Sequence, residues 1–180
     1  MGYSVKMEIY EPAEDSFLLA QQVKYFVKKN NPKKILDMGA GSGIQTEACI
    51  DGGLKERNLT LVDINPLAVK LLETKFSKAK IIESDLFKEV KGKFNLIIFN
   101  PPYLPESKHD KERDTTGGKT GSEVINSFLH QAKPHIEKNG KILLLTSSLT
   151  KNIDWNNFKK NLLSEKKIFY EELYVWELSV

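Results

Sequence analysis

Short runs of β-branched and aliphatic residues alternate along this chain with segments whose apolar positions recur every three or four residues. That alternation predicts an α/β fold with a mostly parallel, doubly wound sheet. Glu14 to Lys28 reads as a helix, with Leu19, Val23, Phe26 and Val27 along one face. Ile35-Leu36-Asp37 is a first strand, Gly43 to Ile50 a short helix closed by Gly52-Gly53, and Leu59 to Asp63 a second strand. Asn65 before Pro66 has the form of an N-cap with proline at the first helical position, opening a helix to about Lys78. Ile81-Ile82 is the third strand and Phe94 to Phe99 the fourth. A long polar loop, Pro105 to Lys119, precedes a helix from about Ser122 that breaks near Pro134, and Lys141 to Thr146 is the fifth strand. In the tail, Asp154 to Leu163 reads as a helix with Trp155, Phe158 and Leu162 inward, while Phe169 to Leu178 is strand-rich. No turn signal divides that tail into two strands.

The length of 180 residues suits one domain, 1–180, with the segment 1–30 packing on the core. No apolar run approaches the roughly 20 residues that span a bilayer. Met1 to Lys6 lacks the apolar centre of a signal peptide, and Lys6 stands where a myristoylation site needs Ser or Thr, so a cytoplasmic address is expected. Cys49 is the single cysteine, which excludes an internal disulfide and a multi-cysteine metal site, and its apolar neighbours predict a buried, inert thiol. Net charge is +3, carried almost wholly by lysine, with Arg57 and Arg113 the two arginines. Lysine is a flexible point charge that reads bases and clamps phosphates poorly. His109, His130 and His135 have no partners at metal-ligand spacing, and no metal is called for.

Asn100-Pro101-Pro102-Tyr103 ends the fourth strand. Neither proline can donate to a sheet ladder, so the strand stops at Asn100. It leaves there a side-chain amide, a stiff turn with free carbonyls and an aromatic ring, a group able to hold a planar –NH2. At the other end of the predicted crevice, Asp37-Met38-Gly39-Ala40-Gly41-Ser42-Gly43 joins the first strand to a helix. Its glycines admit close approach of a ligand, and the acid at its head suits a cationic sulfonium amino acid better than a pyrophosphate. Asp63 ends the second strand, where a carboxylate can accept from ribose hydroxyls, and Asp85 follows the third, placed to accept from an adenine amino group. Three acids at the ends of three successive strands, beside a glycine loop, point to S-adenosylmethionine.

With these motifs in this order, the chain resembles the class I methyltransferases of the HemK/PrmC type, which methylate the glutamine of Gly-Gly-Gln in peptide-chain release factors. Two further segments carry the resemblance: Tyr10-Glu11-Pro12-Ala13-Glu14-Asp15-Ser16-Phe17-Leu18-Leu19, and Gly117-Gly118-Lys119-Thr120-Gly121-Ser122-Glu123-Val124-Ile125. The resemblance is closer to the short eukaryotic and archaeal branch than to the bacterial one. The resemblance implies a Rossmann-like sheet of order 3-2-1-4-5-7-6 and a cofactor pocket lined by Ser16, Asp37, Gly39, Gly41, Asp63, Asp85, Leu86 and Asn100. It implies that Asn100, Pro101 and Tyr103 act in catalysis and, with Pro102, hold the substrate. It also implies a heterodimer with a small zinc-binding methyltransferase activator on the third-strand edge, Lys80 to Glu83, through Ile81 and Ile82. Two departures are visible. Thr115-Thr116 stands where relatives often carry an aromatic, and the stretch before Glu171 is short, leaving room for a truncated C-terminal strand pair or for helix in its place.

The tetrapeptide alone does not choose its substrate. A glutamine amide, an exocyclic adenine N6 or guanine N2 of RNA or DNA, and a lysine amine are the alternatives within one reaction class. A catalytically silent cofactor-binding scaffold is the alternative outside it.

Overall fold

The computed structural model describes residues 9–106 and 116–180. Seven strands form one sheet of order β3-β2-β1-β4-β5-β7-β6. They are β1 (Ile35–Met38), β2 (Leu59–Asp63), β3 (Lys80–Glu83), β4 (Phe94–Phe99), β5 (Ile136–Ser147), β6 (Lys159–Ile168) and β7 (Glu171–Ser179). The first five run parallel, and β7 is antiparallel to both its neighbours. The order matches the one the resemblance implied.

The helices are α1 (Glu14–Asn30), α2 (Ile44–Asp51), α3 (Pro66–Lys75) and α4 (Glu123–Ala132), the last followed by a 3-10 turn at Lys133–His135. Acids in the first turn of α1 and lysines in its last turn complement its dipole, and Asn31 closes it in the left-handed conformation. Asn65 caps α3 as expected, its side chain accepting from the Leu67 N–H at 3.0 Å with Pro66 at the helix start. Right-handed crossovers carry the chain from β1 outward to β3 on one side and from β4 to β5 on the other, which puts α2 and α3 on the opposite face from α4. The central strands are therefore covered twice: every residue of β1 is buried, as are Leu61, Ile97 and Leu143 across the sheet. On the α4 side, Phe128 packs on Phe99 and Phe87, ring centroids 4.6 and 5.4 Å apart.

The tail corrects the sequence reading. Where a helix was expected over Asp154 to Leu163, Asn156 and Asn157 both take left-handed conformations and turn the chain into β6. Phe158 is buried as expected and Trp155 is half-buried, but Leu162 lies exposed rather than inward. The C-terminal pair is complete, not truncated: β6 and β7 are paired from Lys159↔Ser179 to Ile168↔Glu171, with a bulge between Leu162 and Ser164. The misreading has a physical cause. β6 is the sheet's outer strand and carries Lys159, Lys160, Lys166 and Lys167, the charges that keep an open edge from pairing with other chains. An exposed, bulged, lysine-bearing edge shows no two-residue alternation, while Trp155, Phe158 and Leu162 happen to fall at helical spacing. Two smaller differences are that α3 stops at Lys75 rather than Lys78, and β5 begins at Ile136, passing through the left-handed Asn139. The far edge is β3, whose Ile81 and Ile82 are half-buried. No helix among the described residues is long and apolar enough to cross a membrane.

Candidate active site

The sheet reverses its winding between β1 and β4, and parallel α/β sheets bind ligands at the carboxyl ends of the strands at such a point. Met38 pairs with Phe99, so the glycine loop and Asn100 leave the sheet side by side. Gly39, Gly41 and Gly43 take φ of +60°, +53° and +84°, turning the loop through conformations that side-chain-bearing residues avoid.

Behind the loop lie two buried acids. Asp37, 1% exposed, accepts from the Thr46 hydroxyl at 2.7 Å. Burial, partly offset by that bond and reinforced by the nearby Asp63, pushes its carboxyl up to about 7. Asp37, read from the sequence as an acid suited to a cationic ligand, is thus a titrating group inside the wall. Asp63 accepts the Gly41 N–H and the Asn65 N–H, both at 2.8 Å, bracing the loop against α3, and burial raises its carboxyl despite those bonds. The Ile64 N–H also bonds to this carboxylate, which with about four acceptor positions keeps capacity for one more donor. Asp85 is exposed and paired with Lys88 at 2.6 Å. Leu86 beside it is half-buried at φ +50°, its carbonyl accepting from the Ser84 hydroxyl at 3.0 Å.

Asn100 is held from the opposite side. Its Nδ2 donates to the Asp15 carboxylate at 2.9 Å and to the Ser16 hydroxyl at 3.3 Å. Asp15, 4% exposed, also accepts from the Tyr10 hydroxyl at 3.1 Å. An ionised carboxylate only accepts, so the amide nitrogen must face Asp15 and the oxygen must face away. That Oδ1 is buried and has no hydrogen-bond partner. One other buried side-chain atom among the described residues shares this condition, Oε1 of Gln45, whose Nε2 donates to the Ser16 carbonyl at 3.0 Å. Buried acceptors are rarely left empty, and two in one hydrogen-bonded cluster mark a place built for donors that arrive from outside.

The turn after Asn100 is clamped by backbone. A Cβ on Gly117 would lie 2.5 Å from the Pro102 carbonyl oxygen, and one on Gly121 would lie 2.3 Å from that of Tyr103. Thr150, beyond β5, donates to the same Tyr103 carbonyl at 2.9 Å. Pro101 and Tyr103 are buried and Pro102 half-buried. Burial, then the charges of Asp15 and Glu171, raise the Tyr103 hydroxyl well above its usual range. The wide loop meets at its base, Leu104 bridging Thr116 and the Gly117 N–H donating to the Leu104 carbonyl at 2.9 Å. The expectation of a lid over Pro105 to Lys119 rests on 107–115, outside the described residues, as does His109.

A family model described as "Methyltransferase small domain" matches residues 15–154, the interval that holds this whole arrangement. The chain belongs to that family. It is an S-adenosylmethionine-dependent methyltransferase. It is 40% identical over 197 aligned positions to the Methanocaldococcus jannaschii protein named "Putative protein N5-glutamine methyltransferase MJ0928", covering 98% of this chain and 97% of that one. It is 32% identical over 160 residues to the release factor glutamine methyltransferase of Borreliella burgdorferi, covering 79% of this chain and 54% of that protein. Part of it also matches the ribosomal RNA small subunit methyltransferase C of Pasteurella multocida, 33% identical over 119 residues, 64% of this chain and 33% of the other. Among solved structures, the ribosomal protein L11 methylase of Lactobacillus delbrueckii subsp. bulgaricus superposes with a TM-score of 0.63 at 17% identity, over 92% of this chain and 79% of that one, a likeness of fold.

The methyltransferase thus brings Ser16, Asp37, Gly39, Gly41, Asp63 and Asn100 together at the carboxyl ends of β1, β2 and β4, while Asp85 and Leu86 stand on the β3 side. Sequence reasoning missed the roles of Asp15, Gln45, Thr46 and Thr150. The glycine spacing and the Asn-Pro-Pro-Tyr turn announce themselves, whereas these four become visible only when α1, α2 and the end of β5 are laid beside β1 and β4. Cys49 is buried as expected, and burial next to Asp37 raises its thiol well above the usual range. His130 instead meets Asp154 at 3.0 Å, and His135 stacks on Phe87 with centroids 4.6 Å apart.

Proposed function

We propose that this methyltransferase modifies the side-chain amide nitrogen (N5) of the glutamine in the Gly-Gly-Gln motif of a peptide-chain release factor. The observation that carries the reading is the buried, unpartnered Oδ1 of Asn100, fixed in direction by Asp15 and Ser16. A carboxamide nitrogen is a poor nucleophile because its lone pair is delocalised, the same resonance that sets a peptide rotation barrier of about 18–20 kcal/mol. An acceptor held rigidly at one N–H, with the Pro101 carbonyl at the other, favours a pyramidal nitrogen and aims its lone pair. This is a positioning and electrostatic contribution. Tyr103 packs beside the planar amide, and the nitrogen's proton leaves after transfer.

S-adenosylmethionine, held by Ser16, Asp37, Gly39, Gly41, Asp63, Asp85, Leu86 and Asn100, supplies an electrophilic methyl group. The fit rests on the chemistry of these donors and acceptors: remaining acceptor capacity on Asp63, a glycine loop free of Cβ atoms, and an acid beside it able to face a cation. Full-length similarity to a protein named for glutamine N5 methylation supports the amide over the alternatives. An exocyclic adenine or guanine amine remains the second reading, favoured by the partial match to a ribosomal RNA enzyme and by the fact that Asn100 grips any planar –NH2. The scarcity of arginine speaks against it.

The deciding experiment is methyl transfer to a purified release factor, to its Gly-Gly-Ala variant and to bulk RNA. Label on the glutamine of the first alone is expected, and label on RNA but not on protein would sink the reading. We further propose a small zinc-binding activator subunit on the β3 edge, where Ile81 and Ile82 flank an unpaired ladder. Co-expression should raise solubility, and full activity of a well-behaved monomer would remove this proposal. A cytoplasmic site of action accords with a substrate used in translation.

A further inference from the structure

The two residues joining β6 to β7 are Phe169 and Tyr170, and they are 100% and 85% exposed. Two-residue hairpin turns favour Gly, Asn or Asp, because the chain must enter positive φ. Phe169 enters it at +37° with a bulky aromatic side chain, a conformation such residues adopt at a cost. This is why the sequence hides the turn. Neither ring recovers that cost by packing on the protein, so the benefit lies outside it.

The tip is mounted rigidly on the active-site rim. Ile168 pairs with Glu171 at its base. Glu171 accepts from Ser147 at the end of β5, Lys166 pairs with Glu14 in the first turn of α1, and the charge of Glu171 acts on both Tyr103 and Tyr10. Its two flanking strands thus tie to the same helix turn that orients Asn100 and to the end of β5, just beyond which Thr150 holds the Tyr103 carbonyl. Around the rings, residues 165–172 carry three glutamates and two lysines, one lysine already paired. That balance repels a phosphate backbone and suits a protein surface with an apolar pocket and a basic rim.

Resting on the proposed release-factor reading, we infer that Phe169 and Tyr170 form a docking tip for the folded protein substrate, distinct from the crevice that takes its glutamine. Aromatic rings on a rigid turn make anchors of low entropy cost, the kind that dominates protein interfaces. The test variant is Phe169→Gly with Tyr170→Ser, a sequence that suits the turn better than the native one, so folding should be preserved or improved. Binding of full-length release factor is measured by titration, and methylation kinetics are measured on that factor and on a short peptide containing Gly-Gly-Gln.

For the variant we expect Kd and KM for the whole factor to rise about tenfold or more. The melting midpoint should be unchanged or higher, and S-adenosylmethionine affinity, kcat and binding and turnover of the peptide should be unchanged. Undiminished affinity for the factor overturns the inference. So does equal loss on factor and peptide, which would place the tip's effect in the crevice, or a loss confined to binding of RNA or of a partner subunit. A native enzyme that methylates neither factor nor peptide has a different signature: it removes the substrate assignment itself, and the docking tip with it.

Discussion

Asp15 and Asn100, 85 positions apart in sequence, meet through a 2.9 Å hydrogen bond in which the amide donates and the carboxylate accepts. Because the carboxylate cannot donate, this one contact decides which end of the Asn100 amide faces the crevice. Replacing Asp15 with Asn supplies a donor and lets the Asn100 amide rotate. Turnover should fall by up to about 10²-fold with little change in the melting midpoint. Steady-state kinetics with a thermal melt check this, and unchanged turnover would show that the orientation is set elsewhere.

Asn100→Ala removes the acceptor itself. Turnover should drop by about 10²–10³ or more, while S-adenosylmethionine binding stays largely intact. Combined with Asp15→Asn, the losses should be strongly non-additive, with a coupling of about 0.5–3 kcal/mol in a double-mutant cycle. Additive effects would mean the two side chains act independently.

Asp37 makes the protein pH-sensitive in a defined sense. Its carboxyl is pushed up from the ordinary 3.8 to about 7, so the folded state holds this proton more tightly than the unfolded chain. Its contribution to stability therefore falls as pH rises from about 4 to 7 and is level above that. A cationic ligand favours the ionised form, so S-adenosylmethionine affinity should rise up to about tenfold per pH unit below 7 and flatten beyond it. Calorimetric titration from pH 5.5 to 8.5 tests both halves, with Asp37→Asn expected to flatten each profile. Affinity that falls with rising pH would refute the assignment.

Gly117→Ala tests the backbone clamp. The added Cβ would sit 2.3 Å from the Gly121 oxygen and 2.5 Å from that of Pro102, neither of which can swing aside as a side chain can. A loss of about 1–3 kcal/mol in denaturant unfolding is expected, with turnover impaired more than cofactor affinity. An inert substitution would show that the Asn-Pro-Pro-Tyr turn does not depend on this contact.

Sequence reading succeeds here where a local rule and the tertiary structure agree. The Asn65-Pro66 cap, the doubly buried β1 and β4, and the prolines that stop β4 each carry their own signal. It fails where tertiary partners override the local pattern. Nothing within ten residues of Asp15 says that it will face Asn100, and Gln45 gives no sign that its amide will reach the Ser16 carbonyl. In the tail, Asn156 and Asn157 are turn formers that the helical spacing of Trp155, Phe158 and Leu162 obscured. The hairpin turn went unseen because Phe169 and Tyr170 break the rule by which turns are found.

The neck at Leu104 and Thr116 is closed. The Gly117 N–H closes on the Leu104 carbonyl at 2.9 Å, so the catalytic turn is held at both of its ends by backbone alone. The aim of Asn100 is therefore set by residues on either side of this neck, Leu104 before it and Thr116 to Gly121 after it. The catalytic turn is thus a closed ring of backbone contacts, and its shape is inherited as one unit rather than residue by residue.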